Sequence, residues 1–300
     1  MALAYHELLA QYEQFLRVEK NLGERTRRAY LYDLTRFQEF LVRLHGRLPP
    51  PSRIATEAIR EYLNHLQLER GYKSTTLART IASIRRFFEF CLMRQALEAN
   101  PAAGLHNPKQ PKKLPVYLVQ EELARLLASP DRSTPAGVRD FAILASLAFT
   151  GCRLSEIVGI NVGDLLTEQR AVRVLGKGAR ERVVPLNGLV YEAIQAHLNV
   201  RPIVESPALF LNRSGGRLSG RSVENIVRKH VLRAGIFKKG VSPHKLRHTF
   251  ATLLHARDVD ILEIQALLGH ASITSTQIYT HTSSSRLRAA VKKLDGLGPG

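Results

Sequence analysis

Cysteine is scarce in this sequence: Cys91 and Cys152 are the only two among 300 residues. Two are too few for a zinc ribbon. Both stand in apolar runs that read as helical, so they are expected to be reduced core residues, which fits a cytoplasmic location. No run of about 18 apolar residues occurs, as a membrane span would need. The opening MALAYHELLAQYEQF is amphipathic and unlike a signal peptide, so no membrane partner is expected. The Walker phosphate-binding loop is missing, and neither an internal repeat nor a low-complexity tract is present. Acidic residues are few. There are 26 Asp and Glu against 44 Lys and Arg, giving a formal charge of +18 and a pI near 10.3. That excess favours a polyanionic partner, most often nucleic acid, over a simple solubility role. Charge alone does not separate DNA from RNA or from an acidic membrane.

Apolar residues make up 44% of the chain, enough to build the cores of two domains of ordinary size. The first hundred residues carry four stripes at helical spacing. They are Leu8, Leu9, Tyr12, Phe15 and Leu16; Tyr30, Leu34, Phe37, Leu41 and Leu44; Ile59, Tyr62, Leu63 and Leu66; and Leu77, Ile81, Ile84, Phe88 and Cys91. Pro49, Pro50, Pro51 and Gly71 separate these runs. The expectation is a four-helix bundle over 1–100, with Arg25, Arg27, Arg28, Arg79, Arg85 and Arg86 on its surface as candidate contacts to the polyanion. Residues 100–115 then hold four prolines and three lysines with little periodicity, which reads as a basic linker over 101–115. Residues 1–110 carry 17 Lys and Arg against 11 Asp and Glu, and the remainder 27 against 15. Both halves are positive, as expected of two linked domains that close around one duplex.

Residues 116–300 read as mainly helical with one β insertion. Ala171–Leu175 and Arg182–Leu186 are β-prone runs around Gly176-Lys177-Gly178, a hairpin with lysine at its tip. Helices are expected near 188–200, 219–233, 243–256, 260–268, 272–280 and 284–294. The fold class is therefore mainly α, a helical N-terminal domain followed by a mostly helical α/β domain with a small sheet.

Five local features in the second half have ordinary roles when taken singly. Arg153, after Gly151 and at the start of a helix, is most simply a surface arginine. Lys177 is a solvated turn lysine. In Ser242-Pro243-His244-Lys245-Leu246-Arg247-His248, serine and proline suit a helix start, and His244 and Arg247 fall on one face. His270, just past Leu268-Gly269, reads as a capping histidine. Tyr279 reads as a packing residue. Their order and contexts, TGCRLSEI, GKGARERVVPL, PHKLRHTFATLL and IQALLGHASITSTQIYTH, change that reading. The sequence resembles the tyrosine recombinases of the phage integrase family, most closely the bacterial Xer recombinases. The likeness runs through nearly the whole chain, with RRAYLYDLTRFQEF similar to the family's N-terminal core-binding, SAM-like domain. Cys152 stands where the family usually has an apolar residue, and His248-Thr249 where it has His-Ser.

The resemblance implies a reaction and a set of roles. Tyr279 is the expected nucleophile, forming a 3′-phosphotyrosine and freeing a 5′-hydroxyl. Arg153 and Arg247 match the phosphate-binding arginines, suited to the task because a guanidinium fork holds two oxygens and stays charged. His244 and His270 complete the cradle, Lys177 matches the general acid, and Glu156 matches a supporting acidic position. One phosphoester is exchanged for another, so ATP is not called for. The arginines and lysine supply the positive charge, so no metal or organic cofactor is expected. The implied partners are duplex DNA with a specific recombination site and, on that DNA, a homotetramer or a heterotetramer with a related recombinase, with a DNA translocase as a possible activator. An integrase with a second, N-terminal DNA-binding domain is the less expected member. The stripe Leu287, Val291, Leu294 serves either its own domain or a neighbouring subunit, and the resemblance favours the neighbour.

Two other classes compete. His244 and His248, four apart, have a spacing that can bind zinc, as in a hydrolase or nuclease; but Lys245 and Arg247 between them would repel the ion. A non-catalytic DNA-binding regulator explains the charge equally well, yet leaves the intact set of reactive residues unexplained.

Overall fold

The computed structural model describes residues 4–108, 116–176, 181–269 and 284–298. Contacts divide the chain into two units, 1–113 and 114–300.

In the first unit the four stripes become α1 (Tyr5–Val18), α2 (Glu24–His45), α3 (Thr56–Asn64) and α4 (Ser74–Met93), with a single π turn at His65–Glu69 after α3. Each helix is apolar on one face only and buries it. Tyr12, Phe37, Phe87 and Phe88 are fully enclosed, and each such side chain contributes about 1.5–3 kcal/mol by leaving water. Gly46, at φ +72°, ends α2 in the left-handed conformation usual for a helix C-cap. Part of the stretch read as linker belongs to this unit. Ala102 and Leu105 are buried in its core, and Arg85 holds their carbonyls at 3.3 and 2.5 Å. Those residues have no helical periodicity to betray them.

The second unit contains, among its described residues, α5 (Gln120–Ala128), α6 (Pro135–Phe149), α7 (Leu154–Gly159), β1 (Leu165–Leu166), β2 (Ala171–Leu175), β3 (Glu181–Pro185), α8 (Gly188–Val200), α9 (Gly220–Arg233), α10 (Pro243–His255), α11 (Ile261–Leu268) and α12 (Ser284–Lys292). The strands form one antiparallel sheet in the order β1-β2-β3, with Val172 opposite Val184 and Leu175 opposite Glu181. Helix α6 is the centre of this unit. Thr134 caps it by accepting from the Gly137 N–H at 3.1 Å, Pro135 fills its first turn, and 11 of its 15 residues are buried, against α8 and α10 among others. Asp140 sits within that helix, fully buried, bonded to Arg139 at 2.8 Å, Lys229 at 2.6 Å and His230 at 3.1 Å. The ion pair with Lys229 and the bond to His230 fasten α9 to α6.

Two placements differ from expectation. Cys152 is buried and free, but it lies in the turn between α6 and α7 and not in a helix. In the C-terminal stripe, Val291 and Leu294 are each 1% exposed and, with Leu297, belong to the core of their own unit. The stripe therefore packs in cis. Its apolar residues are satisfied where they stand, as β3 and α11 offer a matching surface.

Candidate active site

The site grows from the turn after α6. Gly151 has φ +64°, and a Cβ there would come within 2.6 Å of the Phe250 ring, so only glycine fits. Arg153 follows as the N-cap of α7. Its backbone N–H donates to Glu156 Oε2 at 2.7 Å and its Nη1 to Glu156 Oε1 at 2.9 Å. The carboxylate thus folds back over the helix N-terminus, where the helix dipole favours negative charge. From β3, Arg182 grips the same carboxylate with a fork, Nη1 to Oε1 at 2.8 Å and Nη2 to Oε2 at 2.9 Å. Burial pushes the Glu156 carboxyl up, but the Arg182 bonds and the Arg153 backbone N–H outweigh it and hold it below its ordinary value. Glu156 is therefore an anion, 3% exposed, between two guanidiniums.

Arg247 comes from α10 and is 8% exposed. Its Nη1 donates to the Gly151 carbonyl, and its Nη2 to the Leu268 carbonyl at 2.7 Å. Arg153 Nη2 donates to the next carbonyl, Gly269, at 3.3 Å. The two arginines so converge on the turn after α6 and the end of α11. Burial first, then the charge of Arg153, lowers the Arg247 guanidinium to about 10, which leaves it cationic at neutral pH. Carbonyl oxygens orient a guanidinium without neutralising it. Three guanidiniums face one carboxylate, and the surplus positive charge is fixed in place before any anion arrives.

His244 lies on the first turn of α10, exposed, one turn before Arg247. Ser242 is the N-cap as expected, but its side chain accepts no capping bond. His248 is half-buried and forms a T-shaped pair with the Tyr117 ring, centroids 6.4 Å apart. Its imidazole is pushed below its ordinary pKa by burial and then by Lys245 and His244. No group of three His, Cys, Asp or Glu side chains that could hold a metal occurs among the described residues. Lys177, His270 and Tyr279 lie outside the described residues. Two neighbours in sequence do not: the Leu175–Glu181 pair, and Gly269, whose Cβ position lies 2.8 Å from Arg182 Cζ.

A sequence model of the Phage integrase family matches residues 117–286, and one of the Phage integrase N-terminal SAM-like domain matches residues 9–95. The tyrosine recombinase XerC of Pelotomaculum thermopropionicum is 38% identical over 291 residues, covering 93% of this chain and 94% of the relative. The tyrosine recombinase XerD of Chlorobaculum tepidum is 38% identical over 296 residues, covering 96% of each. The chain belongs to the phage integrase family of tyrosine recombinases. The crystal structure of the XerH site-specific recombinase on palindromic difH substrate, a post-cleavage complex, superposes with a TM-score of 0.71 at 25% identity, over 94% of this chain and 83% of that one. This tyrosine recombinase is accordingly a site-specific DNA strand transferase that acts through a phosphotyrosine intermediate, with the fold class its sequence implied. No helix among its described residues is long and apolar enough to cross a membrane.

The arginines of the recombinase's first unit divide by use. Arg25 and Arg86 are exposed, as is Arg28, which pairs with Glu24 at 2.6 Å. Arg86 also donates to the Tyr30 hydroxyl. Arg27 donates to the Leu22 carbonyl at 2.8 Å. Arg79 reaches the buried Asp33 at 2.6 Å, and Arg85 the carbonyls of Ala102 and Leu105, so these two hold the fold together. In the second unit Arg182 is the site residue that sequence reasoning passed over. Its one signal was an arginine at the head of an otherwise apolar β-prone run, Arg182–Leu186.

Proposed function

We propose that this recombinase is of the Xer type and that its reaction runs as follows. The Tyr279 hydroxyl attacks the scissile phosphorus of a duplex recombination site. The new bond joins the tyrosine oxygen to the 3′-phosphate, and the bond to the 5′ oxygen breaks. Arg153 and Arg247 hold the nonbridging oxygens, on which negative charge builds. His244 and His270 add hydrogen bonds or move the tyrosine proton, whose reference pKa of about 10 calls for such help. Lys177 gives its proton to the departing 5′ oxygen. The 5′-hydroxyl of another strand then attacks the phosphotyrosine and releases Tyr279, so no bond energy is lost. Glu156 supports Arg153.

The observation that carries the site is the surplus of guanidinium charge, built on backbone carbonyls and ready for a phosphate. Equal identity to XerC and XerD, 38% to each, supports the Xer reading without choosing between those two. Partners in this reading are a specific duplex site bound by both basic units, and a tetramer of this chain or of this chain with a related recombinase. An activating translocase and a location in the cytoplasm belong to the same reading, and the outcome is resolution of DNA dimers or exchange of mobile DNA.

A 5′-bridging sulfur tests the roles, since a thiolate leaves without a proton. Lys177→Ala should cleave ordinary DNA about a hundredfold slower and the sulfur-substituted DNA well. Arg247→Ala should be slow on both. Failure of sulfur to rescue a Lys177→Ala protein that binds DNA normally would remove the lysine from the acid role.

A further inference from the structure

Arg182 joins three segments of the second unit. It stands on β3 opposite Val174, next to the Leu175–Glu181 pair. Its fork holds both oxygens of Glu156 on α7. On another side it fills the space that a Cβ at Gly269 would take, 2.8 Å from Cζ and 2.9 Å from Nε. Its own Nε is buried and has no hydrogen-bond partner among the described residues.

We infer that Arg182 is a positioning residue for Arg153: by occupying both oxygens of Glu156 it keeps the outward N–H groups of Arg153 free for the scissile phosphate. The inference rests on the phosphate-binding role proposed for Arg153. Glu156 is a buried carboxylate that can accept a full guanidinium fork. With Arg182 in place, Arg153 gives it one side-chain bond and one backbone bond, and its side chain stays 40% exposed. Without Arg182 the bare carboxylate draws Arg153 into the fork that Arg182 vacates. A guanidinium edge that serves a carboxylate with both N–H groups no longer serves a phosphate.

The test is single-turnover formation of the covalent adduct by the full chain on duplex DNA carrying its recombination site, with affinity measured alongside. Arg182→Ala should bind DNA within about twofold of the parent and form adduct about a hundredfold more slowly, as a misplacement of about 1 Å can cost. A 5′-bridging sulfur should not rescue it, in contrast to Lys177→Ala. Arg182→Lys keeps the charge without the fork and should stay at least about tenfold slow. Should the buried carboxylate, left with Arg153 alone, unfold Arg182→Ala, the double variant Arg182→Met with Glu156→Gln removes both charges and should fold. With no carboxylate to draw Arg153 in, it should form adduct about tenfold faster than Arg182→Lys. Parental rates in Arg182→Ala or Arg182→Lys, sulfur rescue, or a double variant no faster than Arg182→Lys would each overturn the inference. Sulfur rescue would place its action on the lysine hairpin, and a slow double variant would mean that Arg182 acts otherwise than through Glu156. The underlying reading fails separately: the Arg153→Ala protein, run in parallel, would then form adduct as fast as the parent.

Discussion

Replacing Gly151 by alanine should destabilise the second unit by about 2–4 kcal/mol, a sum of two separate costs. The backbone there has φ +64°, and a side chain in that region costs about 1 kcal/mol or more. The new methyl would also lie 2.6 and 2.7 Å from the Phe250 ring and 3.1 Å from Leu268. Phe250 is fully buried and has no open side to move into, so overpacking adds about 1–3 kcal/mol. For a unit of this size each kcal/mol is worth about 2–4 °C, so its thermal transition should fall by about 5–15 °C. The denaturant midpoint should fall with it while the slope stays unchanged. Adduct formation should also slow, because the Gly151 carbonyl orients Arg247. Gly159→Ala is the control. Nothing lies within 4 Å of its Cβ position, and its φ is not positive, so it should be neutral or slightly stabilising. An unchanged transition in Gly151→Ala, or an equal fall in Gly159→Ala, would refute this reasoning.

Leu294→Ala should lower the stability of the second unit by about 2–4 kcal/mol in urea unfolding, since the side chain is 1% exposed in a packed core; an unchanged midpoint would return the stripe to the subunit interface. Asp140→Asn should destabilise in a pH-dependent way. Burial pushes the Asp140 carboxyl up, but bonds from His230, Lys229 and Arg139 outweigh it and hold it well below its unfolded value of 3.8. Its contribution is complete above that value and is lost as the pH falls toward the folded one. The gap between parent and variant in urea midpoint should therefore be full near pH 6 and shrink only below about pH 4; a gap that closes near neutrality would refute this. DNA binding should weaken steeply with salt as basic side chains displace counterions, and separated units should each bind worse than the whole chain; a half as tight as the whole chain contradicts the two-unit clamp.

Much of this was legible in the sequence because it is written locally. A helix apolar on one face announces itself by spacing, so α1 to α4 and the described helices from α8 onward fell near their expected bounds, while the helix expected near 272–280 lies outside the described residues. The β2–β3 hairpin followed from two β-prone runs around paired glycines. Helix α6 is apolar on almost every side, so no stripe marks it, and β1 is two residues long. The remaining gaps are non-local. Arg182 meets a carboxylate 26 residues away, Arg79 meets Asp33 from 46 residues away, and Arg85 captures carbonyls of a segment without periodicity. A charged residue in a strand or on a helix face looks solvated until its partner is placed. The family motifs worked in the other direction, because they brought together Arg153, Glu156 and Arg247, which no periodicity connects.

In the proposed reaction Tyr279 makes the covalent bond to DNA. Parent protein and Tyr279→Phe should be incubated with DNA carrying the recombination site, denatured, and resolved for protein bound to DNA, with site binding measured in parallel. The substitution removes one oxygen and keeps the ring, so binding should be unchanged. A denaturation-resistant adduct is expected from the parent and none from Tyr279→Phe. An adduct of equal yield from Tyr279→Phe would contradict this, and would place the nucleophile elsewhere in the chain.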